Sequence, residues 1–203
     1  MMTMNLLMRA RAATVAAVMT VATPALGAAT DQALAFVKEL GDEAVKIVSN
    51  QDLKSQEFEN TFRAFIDKGF DVETIGKFAL GPYARTITPA QMAEYQRLFY
   101  DYMVHTYASR FRQYSGESFK VGTARAVATD EALVASEILR PNKQASIKVD
   151  WQVRVTAGKP KIIDIVFEGL RLSVTLRDEF AGVIRQGGSF EALLKVLRDR
   201  AAA

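Results

Sequence analysis

The chain has 203 residues, with 26 lysines and arginines against 23 aspartates and glutamates, one histidine and no cysteine. The missing cysteine excludes disulfides, thiol nucleophiles and cysteine metal sites, and is compatible with an oxidising compartment without requiring one. The formal charge of +3 invites a nucleic-acid reading, but no dense Lys/Arg run supplies the basic face it needs, so nucleic acid is disfavoured.

The first segment, 1–27, reads as a cleavable secretory signal peptide. Arg9 and Arg11 precede an uncharged small and apolar stretch from Ala12 to Ala22, which breaks at Pro24 before Ala25-Leu26-Gly27. The cut is expected before Ala28, or before Thr30 if Gly27 and Ala29 serve as the small pair. The run is too short and alanine-rich for a retained spanning helix, which needs about 20 predominantly apolar residues. Removing Arg9 and Arg11 with the leader takes the 26 basic residues to 24 against 23 acidic ones, a formal +1. The remaining 28–203, 203 less 27 or 176 residues, suit one domain. The periplasm of a Gram-negative cell is the compartment that fits best.

Leu34, Val37, Leu40, Ala44, Ile47 and Val48 form the stripe of an amphipathic helix over 31–50. Phe58, Phe62, Phe65 and Ile66 mark a second, and a shorter segment set off by Gly69 and Gly76 ends in Leu80-Gly81-Pro82. Thr88-Pro89-Ala90-Gln91 is a helix start: Thr88 and Gln91 make a capping box and Pro89 suits the first position. From it a helix runs to about Gln113, close to 40 Å at 1.5 Å per residue.

After Ser115-Gly116 the period changes from 3.6 to 2. Ile147, Val149, Trp151, Val153 and Val155 alternate with Ser146, Lys148, Asp150, Gln152 and Arg154. Strands are also expected over 118–128, 132–139 and 161–168, with turns at Thr129-Asp130-Glu131, Pro141-Asn142-Lys143 and Gly158-Lys159-Pro160, an antiparallel meander. Leu172, Leu176, Phe180 and Val183 then mark a helix, and Ser189 caps a last one carrying Phe190, Leu193, Leu194 and Leu197. The expected fold is α+β: a four-stranded antiparallel sheet covered by N-terminal and C-terminal helices.

Chemistry is sparse. His105 stands alone, without the Cys or carboxylate partners that make a metal site, and its plain reading is a solvated or hydrogen-bonded histidine. No metal site or cofactor is expected. Asp164 and Glu168 are even-spaced on one strand and project together into a cleft if the strand lines one; a polar sheet face meeting water explains them equally well. No nucleophile elbow, phosphate loop, HExxH or dinucleotide fingerprint occurs. What is plentiful is aromatic and apolar surface converging from the long helix, the Trp151 strand and the terminal helices. Periodicity does not distinguish a filled core from a lined cavity.

Seven segments together resemble the MlaC family, the toluene-tolerance type of periplasmic auxiliary proteins of an ABC-type phospholipid transport system. They are FALGPYARTITPAQ (78–91), TYASRF (106–111), YSGE (114–117), VDW (149–151), IIDIVFEG (162–169), RDEF (177–180) and RQGG (185–188). The resemblance implies helices and sheet around an elongated apolar pocket for a phospholipid's acyl chains, the head group near the mouth. It implies a monomeric periplasmic carrier, not an enzyme, shuttling phospholipid between an outer-membrane lipoprotein complex and an inner-membrane ABC transporter complex and maintaining outer-membrane lipid asymmetry. Residues expected to line the pocket, chosen by face, are Phe78, Leu80, Tyr102, Tyr107, Phe111, Val149, Trp151, Ile165, Val174, Phe180 and Ile184. Arg171 departs from a serine that many relatives carry soon after the glycine of EG, and is the head-group candidate. The competing expectation is a small hydrolase or isomerase acting on an apolar substrate through Asp164 with His105 or Tyr107.

Overall fold

The structure is a computed structural model that describes residues 25–49, 55–111, 116–141 and 144–201. Most of the expected leader lies outside the described residues, and both expected cuts fall in the first turns of α1 (Ala25–Ser49). Four helices come first: α1, α2 (Ser55–Gly69), α3 (Val72–Leu80) and, after a 3-10 turn over Gly81–Arg85, α4 (Pro89–Phe111). Strands β1 (Ser118–Ala126), β2 (Glu131–Leu139), β3 (Ile147–Thr156), β4 (Lys159–Phe167) and β5 (Leu170–Arg171) follow, then α5 (Leu172–Gly187) and α6 (Phe190–Ala201). The sheet runs in chain order, β1 to β5, with every neighbouring pair antiparallel.

The local chemistry explains the ends. Thr88 and Gln91 form the reciprocal capping box: the Gln91 N–H donates to the Thr88 hydroxyl at 3.2 Å and the Thr88 N–H to the Gln91 side chain at 3.0 Å. Asp71 caps α3 by accepting the Thr74 N–H at 2.9 Å. Gly188, at φ 72°, closes α5 in the left-handed conformation that favours glycine.

The sheet has five strands where four are expected. Glu168 (φ 48°) and Gly169 (φ 82°) are both left-handed, which closes a two-residue turn and returns Leu170 onto Phe167. A two-residue strand leaves too short a pattern to be read as a period. The turn expected at Gly158-Lys159-Pro160 also sits earlier, on Ala157 (φ 50°) and Gly158 (φ 74°), so that Lys159 and Pro160 already pair with Thr156 and Val155. Pro160 is tolerated there because the outer edge of β4 is paired only farther along, with Phe70 at Ile162 and with β5 at Val166 and Phe167.

One face of the sheet is apolar. Ala132, Val153 and Ile162 form one row across it; Val134, Trp151 and Ile165 the next; Ser136, Val149 and Phe167 a third; and Phe119, Ile138 and Ile147 lie beyond. Helix α1 lies across β1, β2 and β3 on the sheet, while α3 packs on α5 and α4 on α6. The core between these layers contains Phe62, Ile75, Tyr95, Phe99, Phe180 and Leu194, all nearly inaccessible to water. The opposite face carries Glu131, Arg154 and Lys161 in one row and Lys120, Glu137 and Lys148 in another.

Candidate functional site: the open end of the apolar sheet face

The inner face is closed at one end and open at the other. Ala132, Val134, Val153 and Ile162 are fully buried, whereas Ile138 and Ile147 are half-buried and Phe167 is 49% exposed. Alternation put all these side chains on one face, but the helices cover only part of it. The result is an apolar strip from Trp151 through Val149 to Phe167, with Phe119, Ile138 and Ile147 beside it, that runs from the core out to water.

Trp151 is fixed at the inner end. Its indole N–H donates to the Ser136 hydroxyl at 2.8 Å, and that hydroxyl donates to the Val149 carbonyl at 2.8 Å. Ser136 is 4% exposed, so this chain satisfies the polar atoms that an apolar face would otherwise leave unpaired. The Phe119 ring meets Trp151 edge-on, centroids 6.0 Å apart. Phe119 in turn lies so close to α1 that a Cβ at Gly41 would sit 2.0 Å from its ring. Glycine there is what lets the helix down onto the strip.

Eight of the eleven expected lining residues share one apolar cluster, with Tyr107, Phe111, Trp151 and Ile165 packed against Leu80, Tyr102, Phe180 and Ile184. Val149, Trp151 and Ile165 share the inner sheet face. Leu80, Tyr102, Phe180 and Ile184 belong to the packed core, where Tyr102 meets the Phe180 ring at 6.3 Å. Phe111 packs on Phe62 at 5.1 Å. Tyr107 is half-buried under the Arg110 guanidinium, 5.4 Å from its ring centre; burial first, then the Tyr102 hydroxyl, pushes the Tyr107 phenol up to about 12 despite the opposing Arg110. Phe78 and Val174 lie on the surface. A cleft of about 300 Å³ between α1 and β1 is lined by Asp31, Leu34, Ala35, Lys38, Val121 and Gly122, and so by none of the expected residues.

Sequence reasoning missed Phe119, Ile138, Ile147 and Phe167. The last two were readable, since Ile147 shares its parity with Val149 and Phe167 with Ile165. Phe119 and Ile138 needed the β1–β2 register, which no local pattern supplies.

The candidate carboxylates have other work. Asp164 is 1% exposed; it accepts the Ser173 N–H at 3.1 Å, the Ser173 hydroxyl at 2.6 Å, the Ile165 N–H at 2.9 Å and an Arg171 N–H at 3.0 Å. It caps the first turn of α5 from a neighbouring strand, because the residue at the cap, Arg171, has no acceptor to offer. Arg171 also donates to Gln152, so the head-group candidate is tied to the sheet. Glu168 stands in the turn and accepts the Lys148 N–H at 2.5 Å. Neither His105 nor Tyr107 is among the hydrogen-bond partners of Asp164, and no cluster of three or more metal-ligating side chains occurs among the described residues.

The fold and strip define a class: an α+β domain whose antiparallel sheet offers its apolar face partly to helices and partly to water. The sequence matches the MlaC protein family over residues 38–199, and the chain belongs to that family. The toluene tolerance protein ttg2D of Pseudomonas putida is 24% identical over 107 residues, 53% of this chain and 49% of that protein; the matched stretch spans about half of the curated relative's length. A phospholipid-binding protein of Ralstonia solanacearum, solved in complex with a phospholipid, superposes with a TM-score of 0.70 at 26% identity, covering 84% of this chain and 97% of its own. No described helix is long and apolar enough to cross a membrane.

Proposed function

We propose that this protein is a phospholipid carrier of the periplasm, exported by the leader at its N-terminus and working as a single domain over 28–203. The observation that carries this reading is the strip, apolar side chains continuous from Trp151 to the exposed Phe167, in a fold shared with a protein solved in complex with a phospholipid. A carrier must hide acyl chains from water, each buried CH₂ contributing about 0.8 kcal/mol, while the head group stays solvated. The strip offers the first environment at its inner end and the second at its outer end. Phe119, Ile138, Ile147, Val149, Trp151 and Phe167 contact the chains in this reading. The partners are those the family suggests, an outer-membrane lipoprotein complex and an inner-membrane ABC transporter complex, between which a monomeric shuttle serves outer-membrane lipid asymmetry.

No bond needs to be broken for this work, and nothing favours the hydrolase or isomerase alternative: the Asp164 oxygens are taken up by Ser173, Arg171 and Ile165. The test is gentle purification of the mature protein, organic extraction and mass spectrometry of the extract, followed by uptake of added phospholipid. Co-purified or acquired phospholipid at close to one molecule per protein is the expected result. Absence of both overturns the reading.

A further inference from the structure

Leu170 and Phe167, 69% and 49% exposed, are the two most exposed large apolar side chains among the described residues, and they face each other across the Glu168–Gly169 turn. The turn is held from inside. Glu168 donates its N–H to the Lys148 carbonyl at 3.0 Å and accepts the Lys148 N–H on its carboxylate at 2.5 Å. That draws the only acid of the tip back onto the sheet. The Lys148 ammonium is left exposed, with no carboxylate at ion-pair distance among the described residues. The hairpin thus carries apolar side chains on its inner face and a cation beside it on its outer face.

We propose that this hairpin docks on a phospholipid surface, Leu170 and Phe167 entering the acyl boundary and Lys148 lying among the phosphates. The inference rests on the carrier reading, and it adds where a lipid passes between bilayer and strip. Area and charge favour a lipid surface over a protein partner. Half of a phenylalanine and two thirds of a leucine amount to roughly 200 Å², far below the about 800 Å² that each side of a stable protein interface contributes. An interfacial anchor needs only a small buried apolar area helped by cations facing anionic lipid. Continuity supplies the route: Phe167 pairs with Val149 and Val149 precedes Trp151 by one inner-face position, so a chain leaving the bilayer along the hairpin meets apolar side chains throughout.

The experiment uses the mature protein with vesicles of phosphatidylethanolamine and phosphatidylglycerol at low salt, bound protein being measured by flotation. In parallel, monomeric diheptanoyl phosphatidylcholine is titrated in solution and followed by the fluorescence of Trp151, which reports on the carrier reading alone. Leu170→Asp is expected to weaken vesicle partition about tenfold or more, and Lys148→Glu about fivefold or more. Both variants should bind the monomeric lipid as the parent does. If the parent binds the monomer yet ignores vesicles, or if both variants partition undiminished, the docking proposal is overturned while the carrier stands. Failure of the parent to bind the monomer instead overturns the carrier reading, and vesicle partition is then judged on its own.

Discussion

The inner face of the sheet has two ends built from the same alternation. At one, Val153 lies between Ala132 and Ile162, all fully buried beneath the helices; at the other, Phe167 pairs with Leu170 and both stand in water. The difference lies in what covers them, since the pleat delivers apolar side chains equally to both. A closed end holds the fold together, and the open end leaves apolar side chains that the described helices do not cover.

The sharpest way to break that contrast is to put the same charge at both ends. Val153→Asp buries a carboxylate without a partner and should cost about 4–5 kcal/mol, a large share of the stability of an ordinary domain. Phe167→Asp should cost less than about 1 kcal/mol, since half of that ring is already exposed. Urea denaturation of the two variants measures both. Equal losses would mean that the open end is core as well.

Next in size is Asp164. Asp164→Ala leaves the buried Ser173 N–H and hydroxyl without their acceptor and should cost about 2–3 kcal/mol. Asp164→Asn keeps an acceptor and should cost less. Arg171→Ala should cost about 1–2 kcal/mol, because it takes the counter-charge from the buried Asp164 carboxylate, which keeps its bonds from Ser173 and Ile165. A loss of stability with lipid uptake retained is expected, and lost uptake at intact stability would return Asp164 to the site.

A smaller effect concerns pH. Burial raises the Tyr107 phenol to about 12 from an unfolded value of about 10, so the folded state holds this proton more tightly. The corresponding stability is fully present below pH 10 and is lost as the pH rises through the window from about 10 to about 12. Tyr95, whose phenol burial also raises, adds to the decline. Urea midpoints measured from pH 9 to 12 should fall, and Tyr107→Phe should make the fall shallower.

Much of this was legible in the amino acids because it is local. The Thr88 capping box and the alternation through Trp151 each specify structure within a few residues. Glu168–Gly169 is local too, but its product, β5, is too short to show a period. Register was not legible: Asp164 meets Ser173, and Phe119 meets Ile138, only after strands pair or a helix docks. Cover was the deepest gap. Periodicity names the face on which Phe180 and Phe167 lie, but whether a helix then closes over a side chain is settled by tertiary packing. That is why Phe180, expected in a cavity wall, is core, and why Phe167 was passed over.

The smallest expected effect tests how firmly α1 closes the boundary between the two ends. Alanine in a helix interior is favoured over glycine by about 1 kcal/mol, so Gly41→Ala should stabilise α1 if nothing else changes. The added methyl would stand 2.0 Å from a ring carbon of Phe119, and the ring must swing aside. That loosens its edge-on contact with Trp151, a contribution of about 0.5–1.5 kcal/mol. The two terms nearly cancel, so stability should change by less than about 0.5 kcal/mol while the emission of the single tryptophan shifts to longer wavelength. A gain of the full helix term with unchanged emission would show that Phe119 has room to move, and that the apolar strip is already open as far inward as Trp151.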